Sequence, residues 1–187
     1  AYMYPSSHPC IYSKLISICV YQRDTNVAIG WSQIGSDIYG GTNAEFFGDQ
    51  LHISSDGTIL AVGAPRTEYD YYSIFSGNVI VYQYSHGSWT KLGQDIDGEA
   101  IDDYSGWSVS LSSNGYTVAI GAIRNDGNGG NSGHVRVYQY NNDSWTKLGQ
   151  DIDGEAVGDQ SGYSVSLSSD GTIVAIGAPR NDGNGEY

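Results

Sequence analysis

Ser88-Trp89-Thr90-Lys91-Leu92-Gly93-Gln94-Asp95-Ile96-Asp97-Gly98-Glu99-Ala100 returns without a change at residues 144–156, so the chain is built on a repeat of 56 residues, the separation of Trp89 and Trp145. The same offset carries residues 108–113 onto 164–169 and 124–129 onto 180–185. A more diverged copy comes first, with Trp31, Asp56-Gly57 and Gly63-Ala64-Pro65 placed 58 residues before Trp89, Asn114-Gly115 and Gly121-Ala122-Ile123. The two extra residues fall between Arg66 and Ser76, which marks that segment as a surface connection.

Within one period, Gly106-Trp107-Ser108-Val109-Ser110-Leu111 alternates small polar with apolar residues, as a half-covered strand does. Asn114-Gly115 then predicts a tight two-residue hairpin. The returning strand, Thr117-Val118-Ala119-Ile120-Gly121-Ala122, is apolar on both faces and must be sandwiched. His134 to Tyr140 alternates again, Asn141-Asn142-Asp143 turns, and Trp145-Thr146-Lys147-Leu148, with Ile152 further on, completes four antiparallel strands. No helical periodicity occurs, and four-stranded sheets at this spacing suit the blades of a β-propeller-like array. The expected fold is therefore all-β, about three blades' worth with a half-blade at each end. Its divisions are an N-terminal segment 1–45 carrying third- and fourth-strand equivalents, a blade at 46–105, a second at 106–161, and a C-terminal half-blade at 162–187.

Composition narrows the function. Glycine makes up 26 of 187 residues and proline only 4, which argues against collagen and against a proline-rich linker. Eight basic residues against 21 acidic give a net charge of −13, which disfavours nucleic acid and anionic lipid as partners. The longest apolar stretch, Leu15 to Tyr21, is far shorter than the ~20 residues of a membrane-spanning helix. Cys10 and Cys19 have neither zinc-site spacing nor accompanying ligands, leaving a disulfide or two buried thiols.

Phe47-Gly48, Gly63-Ala64-Pro65 and Gly77-Asn78-Val79-Ile80-Val81-Tyr82, with Ser161-Gly162-Tyr163-Ser164-Val165, Asp170-Gly171-Thr172 and Gly177-Ala178-Pro179 in the last copy, resemble the FG-GAP repeat of integrin-α-type β-propellers and of many secreted repeat proteins. The resemblance covers about residues 15–187. It implies an extracellular or cell-surface propeller used for adhesion, ligand binding or scaffolding. Calcium-binding members carry alternating Asp or Asn residues between the first two strands of a blade. Here the loops at 54–58, 112–116 and 168–172 are too short to supply six or more oxygens, and that site is not carried over. A weak calcium site on the acidic segments Asp95, Asp97, Glu99, Asp102, Asp103 and Asp151, Asp153, Glu155, Asp159, or on Asp126-Gly127-Asn128 and Asp182-Gly183-Asn184, is set against solvated turns with side-chain capping. No cofactor is expected.

The four histidines, at positions 8, 52, 86 and 134, lack equivalents across the copies, and no nucleophile elbow or phosphate-cradling loop is present. The serines at 108, 110, 164 and 166 read as the small polar face of inner strands. Catalysis is not expected. Tyr69, Tyr71, Tyr72 and Phe75 crowd one connection, either as a binding patch for a glycan or protein ligand or as local packing. Asn142-Asp143-Ser144 is a glycosylation sequon in a turn. Val20-Tyr21-Gln22 and Trp31 match the third and fourth strands of a blade, and residues 162–179 match the first and second. Exposed strand edges would invite strand addition, so the reading is a non-enzymatic structural or adhesive protein that self-assembles by inter-chain completion of half-blades, into a ring or a filament. The residues expected at that interface are Val20, Tyr21, Trp31, Tyr163, Val165 and Ile176. A ligand-binding propeller domain and a fragment of a longer propeller are the alternatives.

Overall fold

The computed structural model describes residues 16–25, 30–41, 44–67 and 76–183. Among them are strands and turns and no helix, and every strand pairing is antiparallel. An N-terminal unit contains β1 (Ser17–Ile18), β2 (Tyr21–Arg23), β3 (Trp31–Gln33) and β4 (Ile38–Tyr39), with β2 on β3 and β1 on β4. After β5 (Ala44–Glu45) comes the first blade: β6 (Gln50–Ile53), β7 (Ile59–Ala64), then β8 (Arg66–Thr67) back on β5, then β9 (Asn78–Ser85), β10 (Ser88–Lys91) and β11 (Ile96–Asp97). The second blade repeats it with β12 (Ser105–Leu111), β13 (Thr117–Ala122), β14 (His134–Asn141), β15 (Ser144–Lys147) and β16 (Ile152–Asp153). A two-stranded sheet of β17 (Ser164–Leu167) and β18 (Val174–Gly177) follows. In each blade the fourth strand is interrupted. β10 covers the far half of β9 and β11 the near half, and β15 and β16 do the same on β14.

The N-terminal unit keeps this register. Tyr21 faces Gln33 as Tyr82 faces Lys91, and Ile18 faces Ile38 as Val79 faces Ile96, so β1 and β2 are a third strand and β3 and β4 an interrupted fourth.

One turn differs from the sequence expectation. Asn114-Gly115 is not a two-residue hairpin, because the ladder stops at Leu111 and Val118 and five residues lie between β12 and β13. Side chains close this wider loop: the Ser112 hydroxyl accepts from the Thr117 amide at 3.1 Å, and the Asn114 side-chain oxygen accepts from the Tyr116 amide at 3.0 Å. Ser54 with Asp56 and Ser168 with Asp170 build the same loop. The hydroxyl and the short polar side chain take the place of a backbone turn, which is why both recur. The two-residue turns lie instead at His86-Gly87 and Asn142-Asp143, where both residues have positive φ, as a type I′ hairpin requires.

Every residue of β7 and of β13 is buried. Leu60, Val62 and Ala64 point back toward Ile18 and Ile38 of the N-terminal unit and Phe47 of the connection after it. Ile59 and Ala61 point forward into the second blade, against Val109, Leu111, Val118, Ile120 and Trp145. Glycine is required at the closest approach: a Cβ on Gly63 would sit 2.3 Å from the Gly106 carbonyl oxygen, and one on Gly121 would sit 2.1 Å from that of Gly162. The sheets thus stack in order, each blade clamped by its neighbours, as in a β-propeller-like array.

Candidate functional site

The repeated element with the most specific geometry is the seam between successive blades. Trp145, at the start of the fourth strand, is 4 % exposed and reaches into the preceding blade. There its indole N–H donates to the Leu92 carbonyl at 2.7 Å. The Gln94 amide closes over it, donating to the Trp145 carbonyl at 2.9 Å and accepting from the Trp145 backbone N–H at 3.1 Å. Gly93 has φ +77°, and a Cβ there would stand 3.0 Å from both the Trp145 and Tyr140 rings. Tyr140 in turn packs on Trp145 with ring centroids 5.2 Å apart. Leu-Gly-Gln is therefore a socket: the carbonyl anchors the indole, the glycine makes room for the rings, and the amide mimics a strand neighbour. One blade earlier the same contact recurs in reduced form. The Trp89 indole donates to the Ile34 carbonyl at 3.1 Å over Gly35, with Tyr84 on the ring but Ser36 in place of the glutamine, and Trp89 is only half-buried.

A second set of contacts lies along the first two strands. The Ile59 side chain would be 2.6 Å from a Cβ on Gly115, and Thr117 would be 3.0 Å from one on Gly171, so a second-strand side chain seats on the loop glycine of the next blade each time. The Leu111 amide donates to His52 Nδ1 at 3.0 Å, and the Leu167 amide donates to the Ser110 hydroxyl at 3.0 Å. The Ser108 hydroxyl donates to the Gly162 carbonyl at 2.7 Å. His52 and Ser110 occupy equivalent positions, and both serve as inter-blade acceptors. Burial holds the His52 imidazole below its ordinary pKa, which keeps Nδ1 available to accept.

Several carboxylates of the acidic segments are engaged by the protein itself, while Asp159 Oδ1 is buried without a hydrogen-bond partner. Asp151 accepts from Arg136 and Lys147, and these bonds, the Arg136 one foremost, hold its carboxyl well below the usual range. Asp95 pairs with Lys91, and Glu99 with Arg136. Asp103 Oδ2 accepts from the Ala100 amide and Asn125, and Asp159 Oδ2 from the Ala156 amide and Asn181, so each carboxylate staples its own loop. Glu99, His134 and Asp151 bring potential ligand atoms within 4.8 Å of one another, but the Arg136 guanidinium sits on both carboxylates. His134 is 3 % exposed, its Nδ1 lacks a hydrogen-bond partner, and burial lowers its pKa.

Of the expected interface residues, Trp31 is 69 % exposed, and Tyr21 and Tyr163 are exposed as well. Tyr163 packs on Trp107 with centroids 5.8 Å apart. Val20, Val165 and Ile176 are half-buried. Val165 and Ile176 occupy the strand face that packs back on the second blade, and the outward face is formed by Ser164, Ser166, Ile173 and Ala175. Asn142 is exposed at its turn. Tyr69, Tyr71, Tyr72 and Phe75 lie outside the described residues, as does Cys10 and with it the Cys10–Cys19 pairing. The socket was not picked out from sequence, although its Leu-Gly-Gln signature stands in the unchanged stretch directly after each Trp-Thr-Lys.

No curated protein matches the chain. A solved structure of a proposed 6-phosphogluconolactonase from Bacteroides uniformis is similar over 91 % of this chain and 49 % of its own, at 16 % identity and a TM-score of 0.49, so the chain spans about half the length of that protein. Residues 95–138, from the interrupted fourth strand of the first blade into the third strand of the second, match the family model for the FG-GAP repeat. That matched stretch lies within the unit that repeats along this chain.

Proposed function

We propose that the chain is a non-enzymatic structural and adhesive module that acts outside the cell and self-assembles head to tail through its half-blades. The observation that carries this reading is the contrast between matching residues. Ile173 is 69 % exposed where its equivalent Ile59 is 1 % exposed, and Trp31 and Trp145 differ as widely. Burying one such side chain contributes ~1.5–3 kcal/mol. His52, Ser108 and Ser110 are engaged in hydrogen bonds that hold blades together. An extracellular setting is supported by the match of residues 95–138 to the FG-GAP repeat. Sedimentation velocity across a wide concentration range tests the reading, with negative-stain micrographs separating a closed ring from a filament. A compact single chain at the highest concentration would overturn it.

A further inference from the structure

We infer that two copies of this chain build one composite blade. β18 of the first copy pairs with β2 of the second, and the Trp31 indole of the second seats in the Leu148-Gly149-Gln150 turn of the first. This inference rests on the self-assembly reading and specifies its contact. In both complete blades the second strand meets the third in one register, Leu60 against Tyr82 and Val118 against Tyr138. Val174 is the equivalent of Leu60 and Val118, and Tyr21 is the equivalent of Tyr82, so the composite register sets Val174 against Tyr21. Among the described residues β18 pairs only with β17 and β2 only with β3, so no described strand occupies the edge that the ladder would use on either one.

The same equivalence matches two further openings with two further side chains. The Leu148-Gly149-Gln150 turn has the sequence and the positive glycine φ (+72°) of the socket that holds Trp145. No described residue fills it: Leu148 is 42 % exposed where Leu92 is 7 % exposed, and a Cβ on Gly149 would meet nothing within 4 Å. Trp31 is the one described fourth-strand tryptophan without a socket. At the other end Gly57, the equivalent of Gly115, likewise has nothing within 4 Å, and beside it an open groove of about 280 Å³ is lined by Val20, Ile34, Ile53 and Tyr84. In the closed seam that position receives Ile59, whose last-copy equivalent is the exposed Ile173. A second copy thus supplies the plug that each opening lacks, in the arrangement already seen between the two blades. Arg23 stands opposite Trp31 where Tyr84 and Tyr140 stand opposite Trp89 and Trp145, so the incoming edge brings a guanidinium to a chain of net charge −13.

The test uses the full chain and two variants that damage opposite ends. Trp31→Ala removes the plug, and Gly149→Asn, which tolerates a positive φ, places a Cβ where the indole would sit. Each variant alone is expected to associate roughly 30-fold or more weakly than the parent, the loss associated with a hot-spot aromatic. Mixed in equal amounts they should form a species of two chains and no larger, since one intact plug meets one intact socket. A misfolded variant could not restore that species. If the parent chain stays single, both this inference and the self-assembly reading fall. If the parent associates and either variant associates as well as the parent, or the mixture gives no pair, self-assembly stands and the Trp31 contact is overturned.

Discussion

Replacing Trp145 with alanine should cost about 4 kcal/mol, the usual loss for a fully buried aromatic truncated in a core. The indole is 4 % exposed, its N–H is bonded to the Leu92 carbonyl at 2.7 Å, and its backbone is held by Gln94. Truncation would open a cavity between the blades and leave a buried carbonyl unpaired. Trp89 stands in the same Ser-Trp-Thr-Lys context but is half-buried over a socket without glutamine, with its bond at 3.1 Å. Alanine there should cost about 2 kcal/mol, in the middle of the range for single substitutions. Trp31, 69 % exposed, should cost within ~0.5 kcal/mol in dilute, unassociated chains. For a chain of this size ~2–4 °C accompanies each kcal/mol, so melting temperatures followed by circular dichroism should fall by roughly 8–16 °C, 4–8 °C and under ~2 °C respectively. Equal losses at the three positions, or a loss at Trp145 under ~1.5 kcal/mol, would refute the claim that the socket and not the local motif sets the contribution.

Gly121→Ala puts a Cβ 2.1 Å from the Gly162 backbone oxygen and should destabilise by ~3 kcal/mol or prevent folding, whereas Gly130→Ala, with open space around it, should stay within ~0.5 kcal/mol; thermal melts of the pair check this. Burial lowers the folded pKa values of His52 and His134 below 6.5, so the unfolded chain binds protons first and stability, complete above about pH 7.5, should fall as pH drops through 6.5. His52→Ser, which keeps an acceptor as at Ser110, should flatten that melting-temperature profile, and a profile as steep as the parent's would remove His52 from the account. Non-reducing peptide mapping should recover Cys10 and Cys19 as one linked pair, and two alkylated thiols would refute the bridge.

The blades were legible because alternation, doubly apolar strands and an unchanged repeat all point to stacked antiparallel sheets. Misreading Asn114-Gly115 as a two-residue hairpin has a definite cause. The dipeptide favours tight turns, but Ser112 two positions earlier offers a hydroxyl that closes a longer loop, and the competition between backbone and side-chain bonds is not visible in the dipeptide alone. The faces of the last sheet are not separable from sequence for a related reason. Strand alternation separates Val165 from Ser164 but does not say which of them faces the neighbouring blade.

His52 shows most clearly what a single copy conceals. Alone it is a histidine without a counterpart, to which the sequence assigns no role. Aligned on the repeat it occupies the position of Ser110, and both side chains accept the backbone N–H of the next blade's first strand at 3.0 Å. What persists from repeat to repeat is an acceptor at a fixed height on the seam, supplied by whichever side chain can reach. The same logic separates the three fourth-strand tryptophans: Trp145 fills a Leu-Gly-Gln turn and is buried, Trp89 sits half-buried over Ile34-Gly35-Ser36, and Trp31, which meets no such turn among the described residues, is exposed. In a stack of this kind a chemically distinctive side chain gains its role from the blade beside it, so motifs need to be read across the seam as well as along the strand.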